Sequence, residues 1–442
     1  MTTDTVTNVV TPRSERQQRL LAHLRSPLHR NGYALVASTF STAGLGALYW
    51  AIAAHRYSSH EVGINASLVT TMMVLTNLSS LNFTDVLNRF VPVSGRAGAR
   101  LVLVSYAIAV GLGGVSATVF VFGLRIWSPW LRETLHGPLL LAVYVLATMF
   151  WIVFVLQDAV LVGLRRATYV LVENTGFGIV KIVLLVALAG AFPHTGIFLS
   201  WTAPLLLVVL TVNWVVFRKL LPHHAAQPVA APEPINRRHV SRFLLADYVA
   251  ALLWTATIGL MPLLVLNTDG ASASAYVYLS WTIAYTLYLV SRNMGMSLTT
   301  EGATDPARLA EHTRATLVGA GRIVIPGALL LVVGAPWFLQ IFGAEYASHA
   351  TNLLRLLALS TIPAIVPATF VSAARVQRRL TAMVVVTAAS TVPVLVLAAP
   401  VVNMMGIAGV GVLWLVVQSA VAVVLLAGEL RPHWARPAVA AT

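Results

Sequence analysis

The chain is written in long apolar runs separated by short polar clusters. A bilayer core about 30 Å thick needs about 20 consecutive, mostly apolar residues per helical crossing. Runs of that length predict crossings over 32–54, 63–86, 101–123, 139–162, 168–192, 196–217, 243–266, 274–297, 323–341, 349–373, 380–400 and 406–428. Transmembrane strands would show segments of about ten residues alternating apolar and polar, and none of the long runs alternates that way. The pattern therefore predicts an all-α polytopic membrane protein with about 12 transmembrane helices.

Composition agrees. Of 442 residues, 58% are hydrophobic and 10% charged, and the mean hydropathy of +0.80 is too high for a soluble globule of this size. Basic residues fix the expected orientation, because loops on the cytoplasmic side carry the excess of Lys and Arg. With both ends inside, the inner segments hold Arg13 to Arg30, Arg89 to Arg100, Arg165 and Arg166, Arg218 to Arg242, Arg308 to Arg322, Arg375 to Arg379, and Arg431 and Arg436. Outer loops hold only Arg56, Arg125 and Arg132. An even number of crossings satisfies this split, in the plasma membrane of a bacterium. The net charge of +14 follows from the same bias and from attraction to anionic lipid heads, so it calls for no nucleic acid. No cysteine occurs, which excludes disulfides and thiolate chemistry. Residues 1–31 lack the apolar core of a cleavable signal; within them RQQRLLAHLRSPLHR (Arg16 to Arg30) reads either as a basic amphipathic stretch on the membrane surface or as a solvated tail.

The Pro-, Ala- and Arg-rich segment 218–242 reads as a cytoplasmic linker. It divides the chain into a basic tail (1–31), an N-terminal six-helix bundle (32–217), a C-terminal six-helix bundle (243–428) and a second tail (429–442). Six is even, so both bundles enter the membrane in the same direction, as parallel repeats do. HRYSSHEVGINASLVTTMMV after the first crossing and LNTDGASASAYVYLSWTIAY after the seventh share a short polar turn and a helix opening on small residues. All outer loops are short, which leaves no room for the acceptor site of a membrane-embedded glycan enzyme. Prolines at Pro204, Pro262, Pro326, Pro336, Pro363, Pro367 and Pro393 each free a carbonyl inside a helix.

The search for catalysis is negative: no G-x-S-x-G, G-x-x-x-x-G-K or G-x-G-x-x-G motif occurs in a fitting context. No histidine cluster suits a metal, and His223 and His224 fall in the linker. Neither an enzyme nor a bound cofactor is implied. What remains are ionisable groups at membrane depth, which are costly there and face a bundle interior or a watery cavity. Lys181 lies in mid-crossing, about 12 Å of helical rise beyond Glu173, so its partner must come from another helix, a cavity or a ligand. Arg292 sits near the inner end of the eighth crossing, within snorkelling reach of the interface. Arg89 stands one turn after Asp85, a spacing that suits a local ion pair as well as a substrate contact. Arg355 lies two turns into the tenth crossing, within reach of Glu345, of neighbouring backbone or of an anion. Asp158, Glu173 and Asp247 each lie near an inner helix end, where an acid serves as an interfacial anchor or carries a coupling proton or sodium ion.

FGAEYASHATNLLRLLALS (Phe342 to Ser360) resembles the corresponding region of bacterial polysaccharide and oligosaccharide flippases, of the multidrug, oligosaccharidyl-lipid and polysaccharide exporter superfamily. NRFVP (Asn88 to Pro92) resembles the signature after that family's second helix. LQDAVLVGLRRATYVLVENTGFGIVKIVLL is similar to its fourth-to-fifth passage, and MMGIAGVGVLWLVVQSAVAVVLL to its last helix. The chain departs from the family at Met261 and Pro262, where many relatives carry an Asp-Arg pair. The resemblance implies two six-helix bundles around a central cavity and alternating access. It further implies an undecaprenyl-pyrophosphate-linked oligosaccharide as the substrate, flipped to the outer leaflet among membrane lipids and other polysaccharide-assembly proteins. Arg89 and Arg355 match its motif positions; Lys181 and Arg292 join them as cationic candidates by depth alone. A drug or small-solute exporter of the same superfamily and a non-transporting scaffold of an assembly complex are the alternative readings.

Overall fold

The computed structural model describes residues 27–135, 137–226, 237–304 and 306–428; within these, the side chains of 27–36, 89, 237–244, 300–304 and 306 are outside the description. Both tails up to residue 26 and from 429, and the middle of the linker, lie outside the described residues. Twelve long helices follow one another: α1 (Pro27–Arg56), α2 (Ser59–Ser80), α3 (Gly98–Phe122), α4 (Pro138–Gly163), α5 (Ala167–Leu188), α6 (Gly196–Val215), α7 (Arg237–Asp269), α8 (Ala271–Thr304), α9 (Leu309–Gln340), α10 (Ala344–Val376), α11 (Leu380–Met405) and α12 (Ala408–Ala427). No strand occurs among the described residues. In lipid every backbone polar group must be paired internally, and the helix does this within one segment.

Ten of the twelve are long and apolar enough to cross a membrane; α1 and α8 have the length but are richer in small and polar residues. Helices whose outer faces meet lipid carry exposed Val115, Val183, Leu207, Leu330, Val396 and Val423. By contrast α2, the least apolar of the ten, is the most buried, because protein surrounds it.

Helix ends differ from the expected ones where polar sequence stays helical or where the backbone turns. The second crossing stops at Ser80 instead of 86, since Leu81 and Asn82 both take left-handed φ values (44° and 60°), and the chain re-enters a short helix, Phe83–Phe90. The ninth begins at Leu309 instead of 323, its first turns being polar. At the start of α2, the Ser58 side chain accepts from the Glu61 N–H and the Glu61 carboxylate accepts from the Ser58 N–H, a reciprocal cap that fixes where the helix begins.

The packing scheme repeats six helices on. In the N lobe α1 packs on α5, α2 on α3 and α4, α3 on α4, and α6 on α4 and α5; in the C lobe α7 packs on α11, α8 on α9 and α10, α9 on α10, and α12 on α10 and α11. The lobes meet where α2 runs against α7 and α8. Two glycines permit that approach: a Cβ on Gly63 would stand 1.7 Å from the Ala271 carbonyl oxygen, and one on Gly259 would stand 2.3 Å from Val74 Cγ2. Small residues let helix backbones close on each other in this way. Where α2, α8 and α10 begin, the seam is laced by hydroxyls: Ser59 Oγ donates to Glu345 Oε1 (2.7 Å) and lies 2.9 Å from Ser272 Oγ, and Tyr276 also donates to Glu345.

Candidate functional site

One stripe from each of five C-lobe helices lines a cavity of about 250 Å³ in the half of the lobe nearest the linker. Asp247, Ala251 and Trp254 of α7 recur at intervals of four and three, as do Tyr288 and Arg292 of α8 and Ala364, Ala368, Val371 and Arg375 of α10. That spacing puts each set on one helix face. Thr387 and Ser390 of α11 and Gln418 of α12 complete the wall. Tyr288 hydrogen-bonds Ser360 (2.9 Å) and Gln418 donates to the Ser390 carbonyl (3.1 Å), which fixes both side chains.

Charge in this cavity is not balanced. Arg375 donates through Nε (3.0 Å) and Nη2 to Asp247 Oδ1, so those two cancel. Arg292 is exposed, with its guanidinium carbon 5.7 Å from the Trp254 ring centroid, and no described acid pairs with it. Across the seam, Asp85 of the short helix lies within electrostatic reach of Asp247 and Arg375.

The other expected cations go elsewhere. Lys181 is 4% exposed and sits among rings, its Nζ 3.6 Å from the Trp201 centroid, 4.9 Å from Tyr49 and 5.4 Å from Phe177. Tyr49 is held in turn by the Ile197 carbonyl and Ser200. Arg355 is half-buried, and its Nε donates to the Val332 carbonyl at 3.0 Å. The reason is covalent: Pro336, four residues after Val332, has no N–H to offer that carbonyl, and Arg355 of the neighbouring helix supplies the missing donor. Of the readings left open for Arg355, contact with backbone is the one its Nε makes. The side chain of Arg89 lies outside the described residues. Of Lys181, Arg292 and Arg355, Arg292 is the one that lines the C-lobe cavity.

The acids also separate. Asp247 belongs to the C-lobe cavity. Asp158 and Glu173 come together in the N lobe, where Gln157 donates to Glu173, Asn174 Nδ2 donates to Asp158 Oδ2 (3.1 Å) and Asn213 Nδ2 donates to Gln157 Oε1 (2.6 Å). Both carboxylate contacts join residues sixteen apart across the α4–α5 turn. The dipeptides Gln157-Asp158 and Glu173-Asn174 face each other because they are equally far from that turn. Among the described residues no group of three or more His, Asp or Glu side chains suits a metal ion. Arg375 and Gln418 do not stand out from sequence: Arg375 lies in a run of loop arginines, and Gln418 is an uncharged amide beside Ser419 in an apolar crossing.

Comparison with solved structures places the fold. A multidrug resistance MATE family transporter of the MOP superfamily, in its inward-facing conformation, superposes with a TM-score of 0.63 at 13% identity, over 91% of this chain and 96% of that one. An outward-facing conformation of such a transporter gives 0.59 at 16%, over 90% and 95%. A MOP superfamily transporter from Pyrococcus furiosus, for which reversed polarity of the binding pocket is taken to suggest a different function, gives 0.61 at 14%, over 90% and 95%. The sequence matches no family model and no curated relative. At these identities the likeness establishes a fold: two six-helix bundles arranged as in MATE transporters.

Proposed function

We propose that this protein is an alternating-access transporter that carries an amphiphile with an anionic head group, and that its substrate is a lipid-pyrophosphate-linked oligosaccharide flipped from the inner to the outer leaflet of a bacterial plasma membrane. The observation that carries this reading is the C-lobe cavity, whose ion pair Asp247–Arg375 leaves Arg292 as the uncompensated charge. A guanidinium offers several donors in a plane, and charge-assisted hydrogen bonds from it suit phosphate oxygens. The neighbouring Trp254 and Tyr288 provide apolar wall beside the cation. Pockets for drug-sized ligands run to about 300–1,000 Å³, so a space of about 250 Å³ fits a head group, with the lipid and sugar left outside the lobe. Related folds captured facing inward and outward support the alternating-access part of the reading. The hydroxyl-laced seam with Glu345 is the part such a cycle would have to open.

A second reading, export of an apolar drug or small solute, is favoured by the aromatic wall and by the multidrug assignment of the structural neighbours. One assay separates them. Proteoliposomes carrying a fluorescent polyprenyl-pyrophosphate sugar are exposed to an externally added enzyme that cleaves the sugar. Wild-type protein is expected to raise the accessible fraction above protein-free liposomes, and Arg292→Gln to slow this about ten- to a hundredfold, the worth of one charge-assisted bond of about 1.5–3 kcal/mol. Translocation undiminished by Arg292→Gln would remove the cavity from the path. No translocation, together with efflux of a lipophilic dye, would establish the second reading instead.

A further inference from the structure

The excess of basic residues on the linker side is a matter of number; how each charge is answered there is a matter of local structure. In the C lobe two of them meet acids: Arg308 pairs with Glu311 (2.8 and 2.9 Å), and Arg375 with Asp247. One corner of the N lobe is built otherwise. The turns Val91–Val93 and Gly95–Ala97, which lead into α3, pack on the turn Leu221–Ala225 beyond α6. His224 Nε2 lies 3.1 Å from the Val91 carbonyl oxygen, and a Cβ on Gly98 would stand 3.5 Å from Leu221 Cδ2. These contacts set the segment that carries Arg96 and Arg100 against the one that carries Arg218 and Lys219. All four side chains are exposed, and among the described residues no carboxylate pairs with any of them.

The same corner runs into apolar surface. On α6, Leu207, Leu210 and Trp214 are exposed and recur at intervals of three and four; on α3, Arg100, Val104 and Ile108 are exposed and recur every four residues. Each set therefore shares one helix face. Beyond Trp214 the backbone changes pitch: Val216–Leu220 forms a single π-turn, whose extra residue keeps Val216, Leu220 and Leu221 buried while Arg218 and Lys219 face outward. Lys219 turns its Nζ back to 5.3 Å from the Trp214 ring centroid. A tryptophan beside a snorkelling lysine marks the level where hydrocarbon gives way to head groups. Tyr106 of α3 and Phe217 of the π-turn, with ring centroids 6.4 Å apart, join the two helices at that level. A soluble anion would use the four cations alone, whereas an amphiphile uses the cations and the apolar stripes below them.

We propose that this corner binds an anionic phospholipid of the leaflet on the linker side, its phosphate held by Arg96, Arg100, Arg218 and Lys219 and its acyl chains laid along the exposed stripes of α3 and α6. The site is separate from the C-lobe cavity, and its test requires no transport. The full-length protein, purified in detergent, is titrated with phosphatidylglycerol or with phosphatidylcholine of the same chains, and bound lipid is counted by native mass spectrometry. Phosphatidylglycerol is expected to bind saturably and the more tightly of the two. Each basic side chain at an anionic lipid surface is worth about fivefold in affinity, so Arg96→Gln with Arg100→Gln, and separately Arg218→Gln with Lys219→Gln, should each weaken binding about twenty- to thirtyfold. Arg125→Gln with Arg132→Gln removes the same charge from exposed positions at the other end of α3 and should leave binding unchanged. Circular dichroism establishes that each variant is folded, and either inner pair carries the test should the other misfold. Equal binding of the two lipids, binding undiminished in both inner pairs, or an equal loss in the Arg125 and Arg132 pair would overturn the assignment. Displacement of the lipid by equimolar inorganic phosphate would also overturn it, in favour of a soluble anion.

Discussion

The two lobes share a packing scheme helix for helix, yet their interiors differ. In the N lobe α4, α5 and α6 enclose tightly packed rings around Lys181 and, nearer the linker, the acid and amide cluster. In the C lobe the counterpart helices α10, α11 and α12, with α7 and α8, leave a cavity walled by an ion pair and a free arginine. Prolines follow the same division. Inside the spanning helices the N lobe carries Pro204, while the C lobe carries Pro262, Pro326, Pro336, Pro363, Pro367, Pro393 and Pro400. Each proline removes a helix hydrogen bond and pushes the preceding turn aside. Pro367 itself lines the cavity. A duplicated architecture thus tolerates two kinds of interior, which answer their charges differently: Arg375 with an acid, Lys181 with rings.

How each charge is answered can be measured, and the C-lobe ion pair should show the largest effect. Arg375→Ala strands the Asp247 carboxylate in the cavity wall. Breaking a fully buried pair costs about 3–5 kcal/mol, and since both side chains keep partial contact with solvent (28% and 18% exposed), about 2 kcal/mol is expected here after allowing for screening. Unfolding of the purified protein in detergent reads the loss directly. The double variant Asp247→Asn, Arg375→Gln should recover most of it; a double variant as unstable as the single one would show that the arginine acts through packing, and the contrast between lobes would lose its electrostatic basis.

Arg355 sharpens the comparison at a proline. Arg355→Met should cost about 1–2 kcal/mol, the usual penalty for an unpaired, partly buried carbonyl. In a Pro336→Ala background the N–H of residue 336 can pair with the Val332 carbonyl again, and the same change should cost less than about 0.5 kcal/mol, since neighbours that share a partner couple in such a cycle. Equal costs in the two backgrounds would mean that Arg355 serves something other than the proline gap.

That pairing also marks where sequence reading reached its limit. Twelve crossings were legible because lipid imposes a length and an apolar composition on each, and the parallel repeat because two six-helix halves enter from the same side. The break at Leu81 and Asn82 was not, since left-handed turns leave little trace when no glycine supplies them. Arg355 looked like a site residue because hydropathy records its cost and not its partner. Pro336 was the available signal, as a proline always exposes the carbonyl four residues before it. Arg375 looked like a loop charge, and nothing local announces an acid 128 residues away. Asp158 and Glu173 stood out singly; their meeting follows from equal distance to the α4–α5 turn, a hairpin rule that applies to the sequence alone. The glycine at position 63 gave no hint of its role, because the backbone it admits belongs to the other lobe.

The smallest expected effect has the opposite sign and tests the N lobe. Lys181 has its ammonium among Trp201, Tyr49 and Phe177, and among the described residues no carboxylate pairs with it. Cation–π attraction in a dry site is worth about 2 kcal/mol, while removing an ion from water costs several kcal/mol even after relaxation. Desolvation therefore outweighs the attraction of the rings. Lys181→Met, which keeps the length of the stem and drops the charge, should stabilise the protein by about 1 kcal/mol in the same unfolding measurement that shows Arg375→Ala to be destabilising. A cation whose removal strengthens the fold is retained for something other than stability. Should Lys181→Met instead weaken the fold by about 1 kcal/mol or more, the attraction of the rings outweighs desolvation, the ring box is a structural clamp equivalent to the C-lobe ion pair, and the two interiors then differ in chemistry while each holds its charge by local contacts.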